Sequence, residues 1–116
     1  MKLNDNFCTI VPYFKINDGA LEQAKSITKQ LVSLTQKESG CLFYNFTFND
    51  HMMHCREGYI NALALLEHIE STKTLIDELL SVSEIVQLEV HGPRVELQKL
   101  HEHLAAMSPV YYYLDE

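Results

Sequence analysis

The chain has 116 residues, 47% of them hydrophobic and 22% charged, which is the balance of an ordinary globular protein able to bury one core. Its formal net charge of -7, without a stripe of lysine and arginine, argues against a nucleic-acid partner, because phosphate binding needs clustered positive charge. No apolar run reaches membrane-spanning length and the opening MKLNDNF has no apolar signal core, so we expect a single domain over residues 1–116, located in the cytoplasm, with no membrane partner.

The first half of the chain predicts a strand, a helix and a β-hairpin. Phe7–Ile16 is rich in β-branched and aromatic residues, as strands are. Asp18 is a candidate helix N-cap, and Gly40 a candidate end of the helix region. The helix between them has one apolar stripe: Ala20, Ala24, Ile27, Leu31 and Leu34. Strands over Cys41–Phe48 and His54–Ile60 flank an Asn-Asp turn and predict the hairpin.

The second half predicts helices around one more long strand. Asn61 is suited to cap a helix, and a further short helix is expected to start at Ser71 or Thr72. A fourth strand is predicted over Ile85–His91, followed by a helix that begins after a Gly-Pro pair, and a last strand over Val110–Leu114. The order β-α-β-β-α-α-β-α-β contains the split β-α-β pattern. It predicts an α+β, ferredoxin-like antiparallel sheet with helices on one face.

Strand alternation sorts the side chains onto two faces of the sheet. The first face is almost wholly apolar and is expected to pack against the helices: Cys8, Ile10, Phe14, Ile16, Leu42, Tyr44, Phe46, Phe48, Met53, Cys55, Tyr59, Val86, Leu88 and Val90. The second face mixes aromatic, apolar and charged side chains: Thr9, Val11, Tyr13, Lys15, Phe43, Asn45, Thr47, His54, Arg56, Gly58, Ile85, Gln87, Glu89 and His91.

The mixed composition of the second face predicts that another molecule covers it, since no helix is left over to do so. A second copy of the chain in a two-fold homodimer is the simplest cover. The run Tyr111–Tyr113 favours this prediction, because alternation leaves at least one of its rings on the outer side, and tyrosine suits interfaces. The alternative is that these rings complete the core of a single subunit.

The hairpin GCLFYNFTF…HCREGY and the helical segment INALALLEHI after it resemble the antibiotic biosynthesis monooxygenase domain superfamily. The pattern is a glycine-led strand, a strand with a glutamate and an aromatic residue two positions later, and a helix ending in Ala/Leu-x-x-His. Gly40, Glu57, Tyr59 and His68 match it. The resemblance covers nearly the whole chain in element order. It implies a dimeric α+β barrel in which ferredoxin-like subunits pair through their sheets.

The same resemblance implies a pocket in each subunit between the sheet and the helices. Some members oxidise aromatic polyketides there without a metal or flavin, others isomerise or degrade small molecules, and many have no assigned role. For this chain it implies a cofactor-independent, monooxygenase-like protein that acts on a small organic molecule, aromatic compounds included. The alternatives are a non-catalytic small-molecule binding domain and a structural dimeric domain whose pocket is filled by side chains.

The candidate catalytic residues lie on the strand and helix of this motif. Glu57 falls on the apolar face by parity, where a carboxyl resists ionisation unless it is paired, and His68 on the next helix is a candidate partner. Beside Tyr59 and Tyr44, such a couple can take a proton from a phenol or enol. The alternative is a structural hydrogen bond that ties the helix to the strand.

A second group of candidates lies on the opposite face. His54, Arg56 and His91 are expected to bind an anionic ligand between subunits, with Arg56 gripping a carboxylate, and Asn45 shares that face. The alternative is a salt bridge between Arg56 and Glu89 within the dimer interface.

No metal site is predicted from the histidines and cysteines. The cysteines are an odd number without CxxC spacing and are expected to be free thiols: Cys8, Cys41 and Cys55. His54 and His91 supply two ligands at most, while Cys55 points to the opposite face. His101 and His103 are two residues apart on a predicted helix and do not share a face. Three ligands therefore do not converge, and Cys55 among apolar neighbours is a poor nucleophile.

Overall fold

The computed structural model describes residues 3–115; Met1, Lys2 and Glu116, which the single-domain prediction includes, lie outside the described residues. The chain forms five strands: β1 (Cys8–Ile16), β2 (Cys41–Asn49), β3 (Met52–Tyr59), β4 (Ser83–Gly92) and β5 (Val110–Tyr113). It forms three α-helices and one 3₁₀ turn: α1 (Leu21–Thr35), α2 (Ala62–Leu80), α3 (Arg94–Gln98) and the turn Ala105–Met107. None of the helices in this described part of the chain is both long and apolar enough to cross a membrane.

The strands form one sheet in the order β2-β3-β1-β4-β5. The pairs β1–β3, β1–β4 and β2–β3 are antiparallel, so the predicted ferredoxin-like α+β fold is confirmed. The last strand, which lies outside the split β-α-β pattern, adds a parallel edge, because β5 runs parallel to β4. The connection from β4 to β5 passes through α3 and the 3₁₀ turn, and it returns the chain to the same end of the sheet before β5 begins.

The helix after the hairpin is one continuous element and not the two helices that the sequence predicts. Asn61 caps α2 as expected, because its side-chain oxygen accepts a hydrogen bond from the amide of Ala64 at 2.9 Å. Ser71 and Thr72 do not interrupt the helix. The Thr72 hydroxyl donates to the carbonyl of His68 at 2.7 Å, and the Ser71 oxygen lies 3.1 Å from the same carbonyl. The single Ser71 proton is shared between this carbonyl and a carboxylate oxygen outside the helix, so both hydroxyls have acceptors while the helix continues.

Two other helix ends differ from their predictions. Asp18 is not the N-cap of α1; Ala20 occupies that position without a side-chain bond, and Gly19 takes the turn with a φ of 81°. The helix predicted after Gly92 is short, because α3 ends at Gln98 and the chain continues through turns to the 3₁₀ segment. Gly40 does not end α1 either, since the helix closes at Gln36.

Two β-bulges shift the alternation and overturn part of the predicted face assignment. The β1–β4 register steps from the pair Tyr13–Gln87 to the pair Phe14–Ile85, so Val86 is the extra residue of a bulge. Ile85 therefore packs with the core on the helix side, whereas Val86 is 49% exposed. A second bulge at Leu42 likewise leaves that side chain 44% exposed. A period-two pattern cannot show an inserted residue, which is why parity failed at these positions.

The core lies between the sheet and the helices in two neighbouring clusters. One cluster packs α2 and α3 against the first residues of β1 and the last residues of β3 and β4, with Tyr59, Leu65 and Leu97 among its fully buried side chains. The other joins α1 and the end of α2 to the opposite end of the strands, with Leu31 and Leu79 fully buried. The predicted candidate site lies between these clusters, beneath α2.

Gly40 marks a close approach of the α1–β2 loop to α2. A Cβ atom at this position would lie 2.5 Å from the Cβ of Ala64. We expect Gly40→Ala to lower the free energy of unfolding by about 1–3 kcal/mol, because an added methyl group in a packed contact forces the helix and loop apart. Urea denaturation measures the loss. Adding Ala64→Gly should recover part of it, and a double variant no better than the sum of the singles would contradict the contact.

Candidate functional site

The β2–β3 hairpin and α2 bring the predicted catalytic residues together on the helix side of the sheet. Glu57 pairs across the strands with Tyr44, and Tyr59 follows two positions later on the same face of β3. His68 lies one and a half turns into α2, and its ring contacts those of Tyr44 and Tyr59 at centroid distances of 4.8 and 5.1 Å. Glu57, His68 and Tyr59 thus form one group, as the sequence predicts.

Glu57 is a buried carboxyl, with 8% of its surface exposed. The hydroxyl of Tyr59 donates a hydrogen bond to its Oε1 at 2.5 Å. Burial raises the pKa of Glu57 to about 7, while hydrogen bonds from Tyr59 and Cys55 lower it and the charge of Glu38 raises it further. A carboxyl in this state exchanges its proton near neutral pH, which suits proton transfer.

His68 lies between two carboxyl groups. Its Nε2 is 3.9 Å from Oε1 of Glu57, which is within the range of an ion pair but too long for a hydrogen bond. Its Nδ1 lies 3.0 and 3.1 Å from the two carboxylate oxygens of Glu38. Burial lowers the pKa of His68 and Glu38 opposes this shift. The direct helix-to-strand hydrogen bond that the sequence suggests between Glu57 and His68 is therefore replaced by a bond from α2 to the α1–β2 loop.

Glu38 is the residue of this group that the sequence did not single out. It lies in the short loop before Gly40, and Ser71 also donates a hydrogen bond to its Oε2, at 3.0 Å. No periodicity marks an acidic residue in a loop, so neither the helix pattern nor the strand pattern predicts its contact with His68. Its nearness to a motif glycine is the one signal that could have found it.

A cavity of about 260 Å³ opens between the sheet and α2, beside this group. Its walls are mainly apolar, with a few polar side chains: Ile10, Pro12, Phe14, Tyr44, Glu57, His68, Ile69, Thr72, Ile76, Asp77, Leu80, Ile85, Leu88 and Met107. Apolar walls with a small number of convergent polar groups are typical of small-molecule sites. Glu57 and His68 are both on the wall, so the cavity and the perturbed titratable groups coincide.

The residues predicted on the opposite face do not join this group. His54 stacks on Tyr13 at 4.5 Å, and its Nδ1 lies 2.8 Å from the carbonyl oxygen of Pro12. His91 stacks on Tyr112 at 4.6 Å, and its Nε2 lies 2.9 Å from Oε1 of Glu89. Within one subunit His54 thus contacts β1 and His91 contacts β5, and a shared ligand between two subunits stays a prediction.

Asn45 and Arg56 face each other across β2 and β3, near the outer edge of the sheet. The side-chain oxygen of Asn45 accepts a hydrogen bond from the amide of Phe46 at 2.9 Å. The ion pair between Arg56 and Glu89 is absent from the described residues of one subunit, where Glu89 accepts from Gln87 and His91 and β1 separates the two strands. A pair across a dimer interface stays a prediction.

The cysteines are free thiols in the structure. Burial raises the pKa of Cys8 and of Cys41 to about 11, and it raises the pKa of Cys55 as well. These thiols stay protonated at neutral pH, which makes them poor nucleophiles. Within residues 3–115, no group of three or more His, Cys, Asp or Glu side chains is arranged to hold a metal ion.

Comparison with known proteins gives strong structural relatives. The crystal structure of MupZ from Pseudomonas fluorescens is 40% identical to this chain, covers 100% of it and 91% of MupZ, and superposes with a TM-score of 0.92. A provisionally named antibiotic biosynthesis monooxygenase from Nitrosomonas europaea is 13% identical, with 81% of this chain and 96% of that one covered and a TM-score of 0.70. A further antibiotic biosynthesis monooxygenase structure is 18% identical, with 72% and 92% covered and a TM-score of 0.63. No family model and no curated protein matches the chain.

Proposed function

Because the chain belongs to the same family as MupZ, within the superfamily that shares the antibiotic biosynthesis monooxygenase fold, we propose that it binds and transforms a small organic molecule in the cavity beneath α2. The reaction class is that of a cofactor-independent monooxygenase, and aromatic compounds are among the substrates that fit. Fold similarity alone does not assign chemistry, so the proposal depends on the site.

The observation that carries the proposal is the position of Glu57 and His68 on the wall of a mainly apolar cavity of about 260 Å³. A structural domain with a filled interior would leave no such space. A purely structural ion pair would not need to face it. The volume suits a molecule of modest size, and the apolar walls at Ile69 and Leu88 favour a hydrophobic one.

The chemistry that this arrangement supports is removal of a proton from an acidic O–H or C–H group, such as that of a phenol or enol. With a pKa of about 7, Glu57 is partly ionised at neutral pH and can accept a proton. Tyr59 holds the carboxyl by its hydroxyl, and Tyr44 forms part of the wall next to it. The resulting electron-rich anion is the species that reacts with oxygen without help from a metal or flavin.

A ligand screen followed by oxygen-uptake measurement tests the proposal. We expect thermal-shift hits among small phenols and enols, because a ligand that binds only the folded state stabilises it. Some of these hits should consume oxygen. Glu57→Gln should keep the binding and lose turnover by at least about 100-fold, since a general base contributes that much or more. Glu78→Gln on the exposed end of α2 is the matched control. Equal turnover in both variants would contradict the proposed base.

Non-catalytic binding in the same cavity is the second candidate function. Its support is that the cavity and its apolar walls require no reaction to be useful. Two results together would favour binding alone. A larger side chain in place of Thr72 should abolish the thermal-shift hits, and no hit should give oxygen uptake or a product with the wild-type protein. Thr72→Val is the control, because it keeps the volume of the side chain and removes only the hydroxyl, which donates a hydrogen bond to the carbonyl of His68.

A homodimer through the outer face of the sheet is the assembly that we propose. Its support is a row of large side chains left in solvent on that face of one subunit, each between 36% and 55% exposed: Tyr13, Phe43, Val86, Val110 and Tyr112. Exposed apolar patches of this kind mark contact surfaces. In a two-fold dimer the same patch on both subunits would meet. The Tyr112 ring has the outward position that the sequence predicts for one of its three tyrosines.

Val86→Arg is expected to convert the dimer to a monomer, because a two-fold interface buries the added charge twice. Light scattering coupled to size-exclusion chromatography measures the mass. Val95→Arg is the matched control, since Val95 is 61% exposed on α3, away from the outer face. A wild-type protein that elutes at the mass of one chain would contradict the assembly.

A further inference from the structure

The α1–β2 loop places Glu38 against the side of His68 that turns away from the cavity. Both carboxylate oxygens lie within hydrogen-bond distance of Nδ1, at 3.0 and 3.1 Å. The other ring nitrogen, Nε2, faces Glu57 at 3.9 Å. The imidazole therefore separates one carboxyl on the cavity wall from another in the loop.

The two carboxyl groups differ in their access to water. The Glu57 side chain is 8% exposed and lines the cavity beneath α2, whereas the Glu38 side chain is 18% exposed and lines a separate surface depression of about 280 Å³ next to Cys41 and Tyr44. His68, with 4% of its surface exposed, stands between the two spaces. A proton that leaves Glu57 by this route must pass through the ring.

We propose that Glu38 is a positioning residue that fixes the tautomer of His68 and connects the buried Glu57 carboxyl to the protein surface. A carboxylate is an acceptor only, so Nδ1 must carry the proton that Glu38 accepts. Nε2 then keeps its lone pair toward Glu57, which is the arrangement that can receive a proton. The consequence for turnover rests on the proposed function, but the tautomer itself does not.

The proton transfer balances without any other reactant. The carboxyl of Glu57 gives its proton to Nε2 of His68, and Nδ1 gives its proton to the Glu38 carboxylate. His68 stays neutral but changes from the Nδ1–H to the Nε2–H tautomer, Glu57 becomes a carboxylate, and Glu38 becomes a neutral acid that exchanges with water. The same two transfers in reverse restore the Nδ1–H tautomer. The 3.9 Å gap must shorten by about 1 Å, or hold one bridging water, for the first transfer.

The groups packed around the ring are consistent with this path. The rings of Tyr44 from β2 and Tyr59 from β3 face it from the sheet. Their pKa values are raised by burial, so they stay neutral and add no charge. Ser71 donates to Glu38 and holds it in place.

The thiols nearest to this group are also neutral. Burial raises the pKa of Cys41 and of Cys55, so neither carries a charge at neutral pH. The charge changes in the group are therefore confined to Glu38, His68 and Glu57.

Nuclear magnetic resonance of the ligand-free, ¹⁵N-labelled full chain tests the inference, with His68→Gln used to assign the ring signals. We expect wild-type His68 as the Nδ1–H tautomer. In Glu38→Gln that tautomer should lose its dominance. The pH midpoints of His68 and Glu57 should both move down, because the Glu38 charge raises the pKa of each. Glu78→Gln removes the same charge at an exposed position of α2 and should change neither.

An Nε2–H tautomer in the wild-type protein would overturn the inference, and this measurement does not depend on the folding of Glu38→Gln. Unchanged tautomer and midpoints in Glu38→Gln would overturn it as well. The two proposals can fail separately. A ligand screen without hits would contradict the proposed function, but it would not change the tautomer measured in the ligand-free protein. An Nε2–H tautomer together with normal turnover would show that Glu38 does not position His68, and it would not contradict the proposed function of the cavity.

Discussion

The difference in free energy of unfolding between Glu57→Gln and the wild type should shift in favour of the variant by about 2–3 kcal/mol when the pH rises from about 5 to about 8. Burial raises the folded-state pKa of Glu57 from 4.5 to about 7. The folded state therefore holds a proton that the unfolded state has released in this range, and the contribution of Glu57 to stability is lost as the pH rises through it. Glutamine resembles the protonated acid and does not titrate.

Urea denaturation of both proteins at the two pH values measures the effect, as the change in midpoint at constant slope. The difference between wild type and variant cancels the titrating groups that are remote from position 57. His68, 3.9 Å from Glu57, is not among them, and its lowered pKa works in the opposite direction. Glu67→Gln, on an exposed position of α2, is the charge-matched control. A wild-type-minus-variant difference that stays constant with pH would show that Glu57 is not a buried acid.

Replacing His68 with alanine should cost about 2–4 kcal/mol of folding free energy, the second large effect that we expect. The change removes a buried ring from between Tyr44 and Tyr59 and leaves the buried Glu57 without its neighbour. It also breaks the bond that ties the Glu38 loop to α2. Denaturation midpoints give the stability, and the ligand assays on the same variant give the function.

Ser71→Ala is the matched control for His68→Ala, because it removes one hydrogen bond to Glu38 and leaves the ring in place. Its cost should stay near 1 kcal/mol. Lost stability with retained binding and turnover in the His68 variant would mean that the ring is a structural tie, one of the alternatives that the sequence leaves open. Retained binding with lost turnover is the result expected of a catalytic residue.

The ferredoxin-like core could be predicted from the sequence because its elements carry strong local signals. The hairpin around the Asn-Asp turn and the cap at Asn61 depend on a few neighbouring residues, and both are confirmed. The bulge at Val86 and the parallel pairing of β5 depend on contacts between distant strands, which a pattern along the chain does not record. The continuity of α2 does not follow from local preference, because Ser71 and Thr72 have weak intrinsic preference for helix interiors, and the packing of α2 on the sheet on both sides of them overrides it.

The candidate site could be predicted only where strand parity and helix position fix the facing of a side chain. Glu57, Tyr59 and His68 meet because they lie on regular elements on either side of one interface. Glu38 comes from a loop, where neither period applies, so its contact with His68 appears only in three dimensions. His54 and His91 share a face but contact different neighbours within one subunit, so a ligand that they share between two subunits stays a prediction.

The crossover from β4 to β5 also contributes to the cavity, because Met107 in its 3₁₀ turn forms part of the wall. Glu57 and His68 on the wall belong to β3 and α2, whereas Met107 belongs to a connection outside the four antiparallel strands. Substitutions in this connection can therefore alter the dimensions of the chamber while Glu57 and His68 keep their places on β3 and α2. The size of the chamber and the identity of its titratable residues can vary independently.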